Sequence, residues 1–119
     1  MDLRTHSDGP LLTVRLSDDV LPNVAADTEV DQAITRVLAE SRATRLLLDF
    51  SDVNMFNSLG IAALIQVHKH CRVAGVAMAV CELSDDVAKV FRVTALHRLL
   101  AVHGTAAEAR AALESGAAP

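Results

Sequence analysis

The sequence is short of aromatic residues, basic residues and long apolar runs, and each shortage excludes a class of function. Its 119 residues include no tryptophan, no tyrosine and only three phenylalanines, and the formal net charge is −4. Nucleic-acid binding is not expected, because it needs a basic surface and aromatic stacking platforms. Membrane insertion is not expected either, because no segment reaches the roughly 18 consecutive apolar residues of a membrane span.

Cysteine is also scarce, and the start of the chain does not resemble a targeting segment. Cys71 and Cys81 lack C-x-x-C spacing, and we interpret them as reduced, buried, small hydrophobic residues rather than as a redox pair. The acidic start Met1-Asp2-Leu3-Arg4 lacks the basic and then apolar order of a secretory signal. We therefore expect a cytoplasmic protein.

The apolar pattern predicts alternating strands and helices. Strand patterns cover 11–16, 46–50, 76–80 and 99–102. Helical spacing follows each strand, in the segments 30–38, 59–73, 84–94 and 105–113. This order is typical of a single α/β domain with right-handed crossovers, and it predicts a largely parallel four-stranded or five-stranded sheet with about four helices.

The same pattern predicts the domain boundaries and the functional edge. With 51% hydrophobic residues, the chain is long enough for one domain with its own core, which we place at 10–113. Residues 1–9 are expected to be flexible or to add an edge strand, and 114–119 to be a disordered tail. In such sheets, functional loops lie at the carboxyl ends of the strands, so the turns at 17–21 and 52–57 are expected to be neighbours.

The most informative motif is Phe56-Asn57-Ser58-Leu59-Gly60-Ile61, at a strand-to-helix turn. Asn57 or Ser58 can cap the helix, and a phosphate on Ser58 would bring about −1.5 to −2 units of charge to this surface. The first two turns of the helix are apolar on nearly all faces, so they need cover from the domain or from a partner. The simpler interpretation makes Asn57 and Ser58 only a cap and Gly60 only a packing residue.

Catalytic, cofactor and metal sites are not indicated. The phosphate-binding motifs G-x-x-x-x-G-K-[ST] and G-x-G-x-x-G do not follow any predicted strand. Ser58 is not in the G-x-S-x-G motif that positions the nucleophilic serine of hydrolases. His68 and His70 point to different helix faces, and His68 with Cys71 lacks a third ligand. Asp49 is interpreted as a strand-end carboxylate that accepts backbone N–H groups. We therefore expect neither an enzyme nor a bound cofactor or metal.

Three motifs in order carry a resemblance to a known family. The stretch Asn57-Ser58-Leu59-Gly60-Ile61 lines up with a D-S-[ST]-G-L signature, and 75–80 followed by Leu83-Ser84 lines up with the next strand and helix start. The segment 93–102 is similar to an "xSGLxRLFxV" stretch. With these motifs, the chain resembles a STAS domain over about residues 10–113, and in particular the bacterial anti-sigma-factor antagonists.

The resemblance implies a switchable protein partner. In that family the unmodified domain binds an anti-sigma factor that is also a serine kinase, and so releases a sigma factor; phosphorylation breaks the complex and a phosphatase restores it. Carried over, Ser58 is the phosphoacceptor. A homodimer is a further option. The expected partner-binding residues are those around Ser58 and in the first loop: Asn57, Leu59, Gly60, Ile61, Ala62, Asp18, Asp19, Val20 and Leu21.

The chain departs from the family pattern at three places. Asn57 replaces the signature Asp, Leu59 replaces the second hydroxyl residue, and Asp18-Asp19-Val20-Leu21 replaces the usual Gly-Glu-Leu-Asp loop. An amide cannot accept a proton as a carboxylate can, so the hypothesis is an antagonist with weakened or altered phosphorylation control. Two alternatives stay open: a non-phosphorylated STAS scaffold subunit of a signalling assembly, and an accessory subunit of a lipid-transport ATPase.

Overall fold

The structure is a computed structural model that describes residues 4–18 and 29–115. Its strands are β1 Arg4–Asp8, β2 Leu11–Ser17, β3 Arg45–Asp52, β4 Ala77–Cys81 and β5 Ala101–His103. Its helices are α1 Glu29–Ser41, α2 Ser58–Ala74, α3 Asp85–Val93, α4 Leu96–Leu99 and α5 Ala106–Glu114. Of the predicted terminal segments, Arg4–Asp8 forms β1, and residues 1–3 and 116–119 lie outside the described residues.

The strands form one sheet whose spatial order follows the chain order, from β1 to β5. Strands β2 to β5 run parallel to one another, and β1 pairs with β2 antiparallel at the edge. The predicted α/β class and largely parallel sheet are confirmed. No helix in the described part of the chain has both the length and the apolar character needed to cross a bilayer.

One strand was predicted two residues too early. The segment expected to be a strand at 99–102 begins with the last residue of α4, and the strand itself is Ala101–His103. Leu96 and Leu100 are both buried, and a spacing of four residues places them on one side of a helical turn. The apolar run therefore divides between a single helical turn and a short edge strand.

The helix ends are set by polar side chains and one glycine. Ser84 Oγ accepts from Val87 N at 3.3 Å to begin α3, and Thr105 Oγ1 accepts from Glu108 N at 3.1 Å to begin α5. Gly75 ends α2 in the left-handed conformation, with φ of 74°. These are the boundaries that the sequence indicates.

The sheet buries apolar side chains on both faces. On the first face, alternate residues of β2, β3 and β4 pack under α1, α2 and α3. On the second face, α5 packs on β3, β4 and β5 through a smaller cluster. That cluster consists of Leu11, Leu47, Ala79, Cys81, Ala109 and Leu113. The β1–β2 side of the second face carries polar side chains, with β1 exposed along its whole length.

Both cysteines and one histidine are buried. Cys71 and Cys81 are free thiols, and burial raises their pKa to about 11 and about 12 respectively, as expected for inert core residues. His68 in α2 is also buried, and its Nε2 has no hydrogen-bond partner among the described residues. Burial, with a contribution from the charge of Arg72, lowers the pKa of His68.

The lowered pKa of His68 makes the protein less stable in acid. The pKa of His68 in the folded protein lies below the ordinary value of 6.5. At a pH between these two pKa values, the unfolded chain therefore binds more protons than the folded protein. The free energy of unfolding consequently falls as the pH drops below about 6.5. The slope from one proton is at most about 1.4 kcal/mol per pH unit. Urea unfolding across this pH range should show a smaller slope for His68→Gln than for wild type. Equal slopes for the two proteins would contradict this account.

Candidate functional site

The candidate site is built around the N-terminus of α2, where Asn57 caps the helix. Its Oδ1 accepts from Leu59 N and Gly60 N, both at 3.1 Å, which satisfies two backbone donors that have no partner inside the helix. Ser58 is therefore the first helical residue. The residue is exposed, and its side chain makes no hydrogen bond to the described residues.

The tip of α2 is only partly covered by its own domain. Ser58 and Ala62, one turn apart, are exposed, whereas Leu59 and Ile61 are half-buried and Gly60 is buried. The sheet and the neighbouring helices cover the remaining faces of these turns. Together with the exposed Met55 in the preceding turn, Ser58, Leu59 and Ala62 form what we name the helix-tip surface.

A cluster of all three phenylalanines supports this surface from below. Phe56 stacks on Phe91 of α3 with ring centroids 5.4 Å apart, and Phe50 of β3 meets both rings edge-on at 5.7 and 5.9 Å. Gly60 lies directly against Phe56, since a Cβ at this position would come within 2.8 Å of Phe56 Cε1. Gly60 thus contributes to the site by letting the Phe56 ring approach the helix.

Substituting Gly60 with alanine tests this close approach. In an ordinary helix the change stabilises by about 1 kcal/mol, but here the new methyl group must displace a ring held by two others. We expect the free energy of unfolding to fall by about 1–3 kcal/mol, measured by urea denaturation. The matched experiment repeats Gly60→Ala in a Phe56→Leu background, where the cost should shrink. A stabilising effect in the wild-type background would contradict the packing described here.

Asp18 connects the loop after β2 to the turn before α2. Its Oδ1 accepts from Asn54 N at 3.0 Å and Met55 N at 3.1 Å, and its Oδ2 accepts from Asn54 Nδ2 at 3.2 Å. Slight burial acts to raise the pKa of Asp18, but these three hydrogen bonds outweigh it and lower the pKa. The predicted proximity of the two loops is confirmed at Asp18; three other predicted residues lie outside the described residues, namely Asp19, Val20 and Leu21.

Met55 is the residue of this site that sequence reasoning missed. Its side chain is 77% exposed, while its backbone N–H is bound by Asp18 and the next residue, Phe56, is packed in the aromatic cluster. A large apolar side chain is thus presented to solvent from a backbone fixed on both sides. The turn also contains the apolar residues Val53 and Phe56, so nothing in the local sequence distinguished an exposed Met55 from a buried one.

The acidic residues near the turn have structural partners. Asp49 Oδ1 accepts from Ser51 N at 2.8 Å, which is the predicted bond to a backbone N–H, although Asp49 lies within β3 and not at its end. Asp52 Oδ2 lies 2.9 Å from Arg15 Nε and 3.5 Å from Arg4 Nη1. Within residues 4–18 and 29–115, no three side chains of histidine, cysteine, aspartate or glutamate are grouped to hold a metal ion.

Comparison with known proteins agrees with this architecture. The family model described as the STAS domain matches residues 4–109. Bacillus SpoIIAA, an anti-sigma factor antagonist in its unphosphorylated form, is similar with a TM-score of 0.74 and 14% identity, over 96% of this chain and 97% of that chain.

Two further solved structures show the same fold. An RsbS variant from Moorella thermoacetica has a TM-score of 0.80 and 13% identity, over 95% of this chain and 97% of that one. An anti-sigma-factor antagonist (STAS) domain protein from Planctomyces limnophilus has a TM-score of 0.73 and 22% identity, over 96% of this chain and 99% of that one. On the match across residues 4–109 and the shared sheet and helix order, this chain belongs to the STAS domain family.

Proposed function

We propose that this STAS domain is an anti-sigma-factor antagonist that binds, through the helix-tip surface, an anti-sigma factor with serine kinase activity and so releases a sigma factor. The observation that carries the proposal is the exposed position of Ser58 as the first residue of α2, near the exposed residues Met55 and Ala62. Because the backbone that carries these apolar groups is already fixed, little backbone entropy is lost when they enter a partner's surface. The serine places a modifiable group in the middle of that contact.

Phosphorylation of Ser58 would act on the complex and leave the fold in place. A phosphate at the first turn of α2 lies beside the positive end of the helix dipole, which is favourable in the free protein. In the complex, the same dianion would have to lose water among Leu59, Met55 and Ala62, which is costly without a matching cation. The modification therefore favours the free domain, and a phosphatase restores the binding surface.

Asn57 is expected to slow this modification. Its Oδ1 is already occupied by the two N–H groups that it caps, and an amide cannot take up the proton of the serine hydroxyl. Asn57→Asp should preserve the cap, because the two residues cap helices about equally well, and should raise the rate of Ser58 phosphorylation. Timed reactions with the cognate kinase and ATP, followed by mass spectrometry, measure the rates. Rapid, complete phosphorylation of wild type at the variant's rate would contradict this prediction.

Identifying the partner tests the proposed function. Wild type, Met55→Lys and Ser58→Asp are used as baits in the native cytoplasm, and the captured proteins are quantified by mass spectrometry. We expect wild type to retain an anti-sigma factor with a kinase domain that both variants lose, and the purified pair to release its sigma factor when wild type is added. Retention of a transporter ATPase would favour the accessory-subunit alternative, and retention of STAS proteins alone would favour the scaffold.

A further inference from the structure

A cleft of about 640 Å³ lies on the face of the sheet opposite α2. Its principal lining residues come from β1, β2, β3 and α5, and they are Arg4, His6, Thr13, Arg15, Asp49 and Arg110. The strand register explains the grouping, because Arg4 pairs with Arg15 and His6 with Thr13, and directly paired residues project to the same face. Helix α5 packs on β3 to β5, so the β1–β2 side of this face forms the open part of the cleft.

The cleft is positively charged on an acidic protein. Three arginines and one aspartate line it, which gives +2 with His6 neutral, whereas the whole chain carries −4. Counting Asp52, which is paired with Arg15 and Arg4 beside the cleft, still leaves an excess of one positive charge. A cleft that concentrates one sign of charge raises the local concentration of ligands of the opposite sign.

The arginines differ in how far they are already neutralised. Arg15 makes two contacts with Asp52, from Nε at 2.9 Å and from Nη2 at 3.3 Å, so its guanidinium is held in place with further N–H groups left over. Arg110 is half-buried on α5 and forms no ion pair with any described residue. Arg110 is therefore the cation with the most to gain from an anionic ligand.

The other lining residues on β2 and β3 also have polar side chains. Thr13 lines the cleft, and its Oγ1 is buried without a hydrogen-bond partner among the described residues. Asp49 Oδ1 already accepts a hydrogen bond from the backbone N–H of Ser51.

We propose that this cleft binds a small polyanion, a compact molecule that carries two or more carboxylate or phosphate groups. Guanidinium groups bind both kinds of oxyanion through paired N–H donors, and the cleft offers three of them. Its volume lies within the roughly 300–1,000 Å³ of small-molecule sites and exceeds what a single ion would fill. The site is independent of the helix-tip surface, which lies on the other side of the sheet.

Citrate and pyrophosphate are the probes that test this site. Each is titrated into the purified full chain at constant ionic strength, with calorimetry for affinity and two-dimensional amide NMR for location. We expect saturable binding of at least one probe, with shifts centred on β1, β2 and α5. Binding of citrate alone indicates a polycarboxylate, binding of pyrophosphate alone indicates a phosphate compound, and either supports the proposal when the variants below behave as expected.

Matched arginine variants distinguish specific binding in the cleft from nonspecific attraction of anions to surface arginines. Arg110→Met should weaken binding about tenfold or more, since it removes charge-assisted hydrogen bonds, and Arg4→Met at an exposed position should weaken it without perturbing the fold. Arg98→Met, exposed on α4 away from the cleft, should bind as wild type does. Absence of saturable binding by both probes, or equal weakening in all three variants, would overturn the proposal.

Discussion

Replacing Ser58 with aspartate should weaken binding of the proposed anti-sigma factor by about 30-fold or more. The side chain is exposed at the start of α2, so a carboxylate there enters the interface directly. An unpaired charge buried in an interface costs about 2–5 kcal/mol, and about 2 kcal/mol already corresponds to a roughly 30-fold change in the dissociation constant. Calorimetry or surface plasmon resonance with the purified partner measures the effect.

Two controls distinguish this effect from misfolding. Ser58→Ala adds no charge and should bind within a few-fold of wild type. Ser58→Asp should unfold in urea within about 1 kcal/mol of wild type, because a negative charge in the first turn of a helix is favourable. Equal affinities for wild type, alanine and aspartate would remove Ser58 from the switch.

The largest effect on stability is expected for Phe91→Ala. Phe91 is 1% exposed, meets Phe50 edge-on at 5.9 Å and stacks on Phe56 at 5.4 Å. Truncation of a buried phenylalanine costs about 3–5 kcal/mol, through lost burial and the cavity that remains. The free energy of unfolding of a natural domain is about 5–15 kcal/mol in total. Urea denaturation should therefore show that Phe91→Ala loses a large part of the stability.

Two control variants accompany Phe91→Ala, one at another position of α3 and one at position 91 itself. Val93→Ala removes methyl groups from a side chain that is 78% exposed, and it should change the free energy of unfolding by less than about 0.5 kcal/mol. Phe91→Leu fills more of the space than alanine and should cost less. A loss below about 1 kcal/mol for Phe91→Ala would contradict the central place of the aromatic cluster.

The regular part of the fold could be predicted because its signals are local. Helical spacing placed Val30, Ile34 and Leu38 on the buried face of α1, and the apolar run in β3 identified a strand covered on both faces. The antiparallel strand β1 has no such signal, because all five of its residues are exposed and polar. Its pairing depends on the free edge of β2, which sequence spacing does not reveal.

The site was predictable in its position and not in its details. The Asn57-Ser58 turn followed from the end of an apolar strand and the start of a helical pattern. The exposure of Met55 depends on contacts between distant segments: Asp18 binds backbone groups 36 and 37 residues away, and Phe56 packs on a ring from α3. Neither contact leaves a periodic pattern in the sequence.

The affinity of the anti-sigma factor for one preparation of this protein, measured before and after complete phosphorylation at Ser58, tests the central claim most directly. The account predicts tight binding before modification, loss of binding afterwards and recovery after phosphatase treatment, with an unchanged urea midpoint. Undiminished affinity of the fully phosphorylated protein would contradict it.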